Sequence, residues 1–142
     1  MKSIEAKASR VIVGRIMPGE DVIDSVKELV KEYKINAGLV NVIGALNKAT
    51  IGFFSVGTKE YSFTTFEEDF ELLNASGNVS HKDGEPIIHL HILLGREDSS
   101  TIGGHLSQPS IVSVTGEVYI YEIDKKLIRA NDPQFDLSLL DL

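Results

Sequence analysis

His89, His91 and His105 are the residues of this chain whose type and spacing could do chemistry. His89-Leu90-His91 lies within the apolar run Ile87-Ile88-His89-Leu90-His91-Ile92-Leu93-Leu94. Read as a strand, the run puts Ile88, Leu90, Ile92 and Leu94 on one face. His89 and His91 then share the other face with Ile87 and Leu93. His105 follows Gly103-Gly104, a pair that lets the backbone turn sharply and approach closely. Three of the four histidines can converge in this way. Three neutral imidazole nitrogens with an open fourth position suit a zinc ion of the catalytic type. Such an ion would act as a Lewis acid, its open position taking water, a carboxylate or a carbonyl oxygen. The plainer reading is a half-buried layer of hydrogen-bonded rings, since histidine serves many roles besides metal binding. His81 stands in a polar turn beside Lys82 and Asp83 and is left out of the set.

Other groups could serve such a centre. Glu71 or Glu117 could carry a proton, and Arg129 could hold a small anionic ligand through a bidentate contact. Their ordinary roles are solvated strand positions for the two glutamates and a surface or interface ion pair for Arg129. The serines show neither a nucleophile elbow nor a paired base. The chain has no cysteine, which excludes disulfides, thiolate metal sites and thiol nucleophiles.

The elements that must position these residues are legible in the hydrophobic spacing. Residues 8–16, with Val11, Ile12, Val13 and Ile16, read as a first strand. Met17-Pro18-Gly19-Glu20-Asp21 is a turn into a helix, its acidic pair suited to the positive end of the helix dipole. Val22, Ile23, Val26, Leu29, Val30 and Tyr33 repeat at helical spacing, which predicts one main amphipathic helix over about residues 21–34. Residues 37–46 and 49–56 read as two strands. Gly57-Thr58-Lys59 is a tight connection into residues 60–65. Glu67-Glu68-Asp69 suggests a short helical turn or a polar edge. Residues 70–80 form a strand in which Gly77 could mark a bulge, and His81 to Pro86 a turn. Residues 111–123 are the longest strand candidate. The tail residues Phe135, Leu137, Leu139, Leu140 and Leu142 are too apolar for a free end and are expected to pack on this subunit or a neighbour. The pattern predicts a single α+β domain over residues 1–142. Its sheet is largely antiparallel and strongly bent, packed with the main helix and short helical turns.

The 142 residues suffice to bury a core without staples. The start shows no apolar signal region, and no apolar run is long enough to cross a bilayer. With the lack of cysteine, this points to the cytoplasm and away from membranes. The formal net charge is −7, and the 14 basic residues are scattered. That balance disfavours a protein that grips phosphates with lysines and arginines, so DNA binding is expected to be weak if present.

Four stretches, taken together, resemble a known family. They are Pro18-Gly19-Glu20-Asp21; Val42-Ile43-Gly44-Ala45-Leu46; Phe70-Glu71-Leu72-Leu73 with Ser76-Gly77-Asn78-Val79; and His89-Leu90-His91 with Gly103-Gly104-His105-Leu106. Arg129 followed by Asp132 is a weaker fifth. In order and spacing they resemble the PPC domain, named for plants and prokaryotes. The resemblance implies a compact α+β subunit and a homotrimer. Plant members join this domain to AT-hooks that bind A·T-rich DNA; this sequence has no AT-hook and looks like the stand-alone prokaryotic type. The plant partner-binding run is Gly-Arg-Phe-Glu-Ile-Leu. Glu68-Asp69-Phe70-Glu71-Leu72-Leu73 keeps only its later part, so that contact does not carry over. At the level of fold, the domain is similar to acetolactate decarboxylase, whose zinc is held by a His-X-His pair and a later histidine. His89, His91 and His105 match that pattern.

Two functions follow as expectations. One is a homotrimeric protein with a three-histidine zinc and small-ligand site, its activity not established. The other is a DNA-associated or regulatory scaffold module.

Overall fold

Eight strands and one helix follow one another along the chain in the computed structural model, which describes residues 1–142. They are β1 (Ala8–Ile16), α1 (Val22–Glu32), β2 (Gly38–Ser55), β3 (Glu60–Phe66), β4 (Phe70–Lys82), β5 (Glu85–Gly95), β6 (Thr101–Ile123), β7 (Arg129–Asp132) and β8 (Leu137–Leu140). Every ladder in the main sheet is antiparallel. The strand order is β1-β6-β5-β4-β2-β3, and β6 also pairs with β2. β2, β4, β5 and β6 therefore close on themselves as a ring, which is the strong bend expected of the sheet. β1 and β3 extend the ring at its margins, and β7 and β8 form a separate two-stranded ribbon.

The helix begins where the sequence marks it. Asp21 caps it, its carboxylate accepting from the backbone N–H groups of Ile23 and Asp24. The other carboxylate oxygen accepts from the N–H of Ser110, at 2.7 Å, which ties the helix start to β6. Val22, Val26 and Val30 are buried and meet the inward side chains of the ring, among them Val40, Val42, Leu90, Leu94, Val118 and Ile120. This is one continuous core. Asp83-Gly84 joins β4 to β5 with both residues at positive φ, 52° and 87°, the backbone that an Asp-Gly hairpin turn requires.

Several local expectations change. Residues 37–46 and 49–56 are one strand, β2, with register shifts between Val42 and Thr50 instead of a break. Gly77 is not a bulge, because the β4–β5 register runs through it unbroken and the shift falls at Leu72/Asn74. Glu67 to Asp69 form a bend, not a helical turn, and α1 is the sole helix. Gly103 and Gly104 lie inside β6, which starts at Thr101 rather than Ile111. The tail packs on its own subunit: β8 pairs with β7, and the Asp141 N–H donates to Ile128 O at 2.9 Å. No helix is long and apolar enough to cross a membrane.

Candidate metal centre

Strand parity positions the first two histidines. Leu90, Ile92 and Leu94 are buried in the ring, so His89 and His91 project outward from β5. Register brings in the third, because His105 on β6 is the direct partner of His91 across the β5–β6 ladder. Glycine makes the approach possible. A Cβ on Gly103 would lie 2.5 Å from Ile92 O, and one on Gly77 1.8 Å from His89 O. The Gly-Gly pair thus supplies close strand packing in place of the expected loop. The three rings sit 5.1–5.6 Å apart between centroids. One nitrogen from each falls within 4.8 Å of the others. His81 is elsewhere, its Nε2 facing Ile35 O at 3.2 Å.

The environment of the cluster is cationic and partly dry. His91 is exposed, while His89 and His105 are half-buried. Arg129, on β7, is buried beneath them. Its Nε donates to Ser80 Oγ at 2.7 Å and its Nη1 to Ser138 O at 2.7 Å. Its Nη2 meets Asn78 Oδ1 and His89 Nδ1, each at 3.1 Å. A guanidinium can only donate, so His89 Nδ1 accepts. Burial, followed by the charges of Arg129 and the neighbouring histidines, pulls the His89 pKa down to about 4. His105 is lowered too, by burial and then by His91 and Arg129. These two rings are neutral at physiological pH, the state a metal ligand requires. His105 Nδ1 is buried without any hydrogen-bond partner.

The remaining sequence candidates separate. Arg129 does reach the centre, yet four of its five N–H groups are engaged within the fold, so it does not stand ready as a bidentate clamp. Glu71 and Glu117 line a different groove with Ile43, Leu73 and Thr115. Neither belongs to the concavity beside the histidines, so neither is poised there as a proton carrier. That concavity, of about 400 Å³, includes Tyr61, His89, His105, Arg129 and the β8 residues Leu137, Ser138 and Leu139. Tyr61 had no sequence signal. It arrives because the β2–β3 hairpin lays its ring 5.1 Å from that of His105.

Fold and site together define an α+β domain whose closed antiparallel sheet carries a three-histidine cluster on its outer face. The chain belongs to the Plants and Prokaryotes Conserved (PCC) domain family, whose model matches residues 3–124. Among solved structures it is similar to a metal-containing protein from Archaeoglobus fulgidus, with 34% identity, 100% of both chains covered and a TM-score of 0.92. A plant- and prokaryote-conserved protein from Pyrococcus horikoshii is 31% identical, over 100% of this chain and 98% of that one, at a TM-score of 0.90. A candidate DNA-binding protein from Bacteroides thetaiotaomicron is 29% identical over 96% of each chain, at a TM-score of 0.88. Acetolactate decarboxylase from Bacillus subtilis shares the fold alone, at 15% identity and a TM-score of 0.60, with 96% of this chain and 62% of that one covered. Among curated proteins, a bifunctional GlmU protein from Synechococcus sp. is 28% identical over 126 residues, 87% of this chain. The chain spans only 19% of that relative's length.

Proposed function

We propose that this protein is a metal-binding PCC-domain homotrimer whose histidine centre takes zinc and a small anionic ligand. The observation that carries the reading is His105 Nδ1, a buried nitrogen with no partner, within a set of three imidazoles whose nitrogens lie within 4.8 Å of one another. A buried ring nitrogen left unpaired is costly, and an ion shared with His89 and His91 would relieve that cost. The donor set therefore fits zinc. Zinc bound there would supply Lewis-acid chemistry at an open position. The similarity to a metal-containing archaeal protein supports the same reading.

The residues around the centre have separate tasks. Arg129 keeps its bond to His89 Nδ1 only while that nitrogen has a free lone pair. Were neutral His89 to ligate a metal through either nitrogen, that lone pair would be used or protonated and Arg129 would have to withdraw. An N–H would then be free to face an anion. Arg129 and the neutral rings together favour an anion over a cationic ligand.

A trimer is supported by the outer face of the sheet. Register aligns Val11, Tyr121 and Leu39 in one row, and Val13, Tyr119 and Asn41 in the next. The five apolar and aromatic members of these rows are all exposed. The second row continues through Ser76 to His91 and His105. Burying this face against a second copy would place the subunit contact beside the histidines.

A DNA-associated role has one point in its favour, the similarity to a candidate DNA-binding protein. The net charge of −7 weighs against it, since non-specific affinity for DNA comes from cations that neutralise phosphates.

The test is the metal content of the purified full-length chain beside that of His91→Ala. About one zinc per chain is expected in the parent and none in the variant, with the far-UV spectrum unchanged because His91 is exposed. Full metal occupancy in His91→Ala would sink the reading.

A further inference from the structure

The concavity beside the histidines differs in charge from the rest of the molecule. It is lined by Arg129 and Lys82 and by no carboxylate. The other four main concavities each contain at least one acidic residue. In a chain of net charge −7, a cationic hollow free of acids is a selective feature. Its remaining walls are largely apolar. Ile87 comes from β5, and Leu137 and Leu139 from β8, with the ring of Tyr61 closing one side.

Much of this wall lies outside the region that the family model matches, which ends at residue 124. The β7–β8 ribbon supplies Arg129, Leu137, Ser138 and Leu139. Arg129 anchors the ribbon to the sheet through Ser80 and Asn78. Ser138 turns its carbonyl to Arg129, while its buried Oγ has no partner. The ribbon is thus tied to the sheet beside the histidines by a residue that also makes the hollow cationic.

We infer that this hollow is a site for a small monocarboxylate with an apolar part, and that the β7–β8 ribbon sets this specificity. The inference builds on the reading of the histidine centre as a ligand site. Arg129 has one N–H of Nη1 uncommitted, which suits a singly charged carboxylate. Phosphate has no apolar part for Ile87, Leu137 and Leu139 to cover, which favours a carboxylate that carries one. Leu137, Leu139 and Ile87 take the apolar part, whose removal from water favours binding. The volume of about 400 Å³ is ample for such a ligand.

The experiment titrates the full chain, as purified, with isovalerate, isovaleramide and inorganic phosphate. Calorimetry and backbone amide shifts give the readouts, and metal content is measured on the same sample. Isovalerate is expected to bind at least tenfold more tightly than the uncharged amide or phosphate, and to shift the amides of Ile87, Tyr61 and residues 137–139. Leu139→Asp, at a partly exposed position, is expected to weaken isovalerate at least tenfold while metal content and fold stay unchanged. Four results would each overturn the inference: no isovalerate binding, equal binding of isovaleramide, tighter binding of phosphate, or no effect of Leu139→Asp. Isovalerate binding in a sample without metal would remove the zinc reading and leave the carboxylate site standing. Metal without isovalerate binding would do the reverse.

Discussion

Arg129 shows how one residue can join fold to chemistry. It is buried, it carries charge, and it touches a histidine that is itself kept neutral. The consequence for pH follows from His89, whose folded pKa of about 4 lies below its ordinary value of 6.5. The unfolded chain takes up the proton first, so the contribution of His89 to stability is complete above pH 6.5 and is lost as pH falls toward 4. His105 is shifted in the same direction. For chelator-treated protein, the urea midpoint is expected to hold steady above neutral pH and fall between pH 6.5 and 4.5. In His89→Gln that fall should be shallower. A midpoint that did not move over this range in the parent chain would contradict the lowered pKa. At this scale the sequence named His89, His91 and His105 correctly as neighbours, because alternation along a strand is set by the backbone alone. Glu71 and Glu117 line a groove apart from the concavity beside the histidines, a separation that the sequence does not record.

At the scale of the element, close approach between strands matters as much as hydrophobic pattern. Gly77 faces Leu90 across the β4–β5 ladder and flanks the pairing of Asn78 with His89. A methyl group there would meet His89 O at 1.8 Å, a contact with backbone that no rotamer can relieve. Gly77→Ala is expected to destabilise by about 2–3 kcal/mol or more and to loosen His89. Equilibrium urea unfolding with metal content on the same variant is the measurement, and an unchanged midpoint would count against it. In the sequence Gly77 reads as a bulge and Gly103-Gly104 as a turn. A glycine inside a strand signals that something is unusual, but whether the chain bends or a neighbour approaches depends on the partner strand. Helix α1 was legible to within about two residues because its cap, its apolar stripe and its end are all local.

On the scale of the whole molecule, assembly is the open feature with the clearest physical expectation. The apolar tail, expected to pack on this subunit or a neighbour, is accounted for within the subunit by the β7–β8 ribbon. The exposed rows of Val11, Val13, Leu39, Tyr119 and Tyr121 are the surface on which the proposed trimer would form. Light scattering is expected to give three times the chain mass at micromolar concentration. Val13→Asp, which sets a charge opposite Tyr119, should shift the protein toward monomer. A stable monomer for the parent chain would dismiss the trimer.

The sequence alone determined what is local or periodic: the α+β class, the helix with the acidic pair at its start, a turn within residues 81–86, and the shared face of His89 and His91. These follow from backbone geometry, spacing and turn chemistry, all read within a few residues. Only the tertiary structure decided what depends on pairing between distant segments. It closed β2, β4, β5 and β6 into a ring, put His105 opposite His91, carried Tyr61 to the histidines and folded the tail back so that Arg129 lies beneath them. Sequence spacing holds no record of register, and it is register between strands that brings residues 61, 89, 105 and 129 to one place.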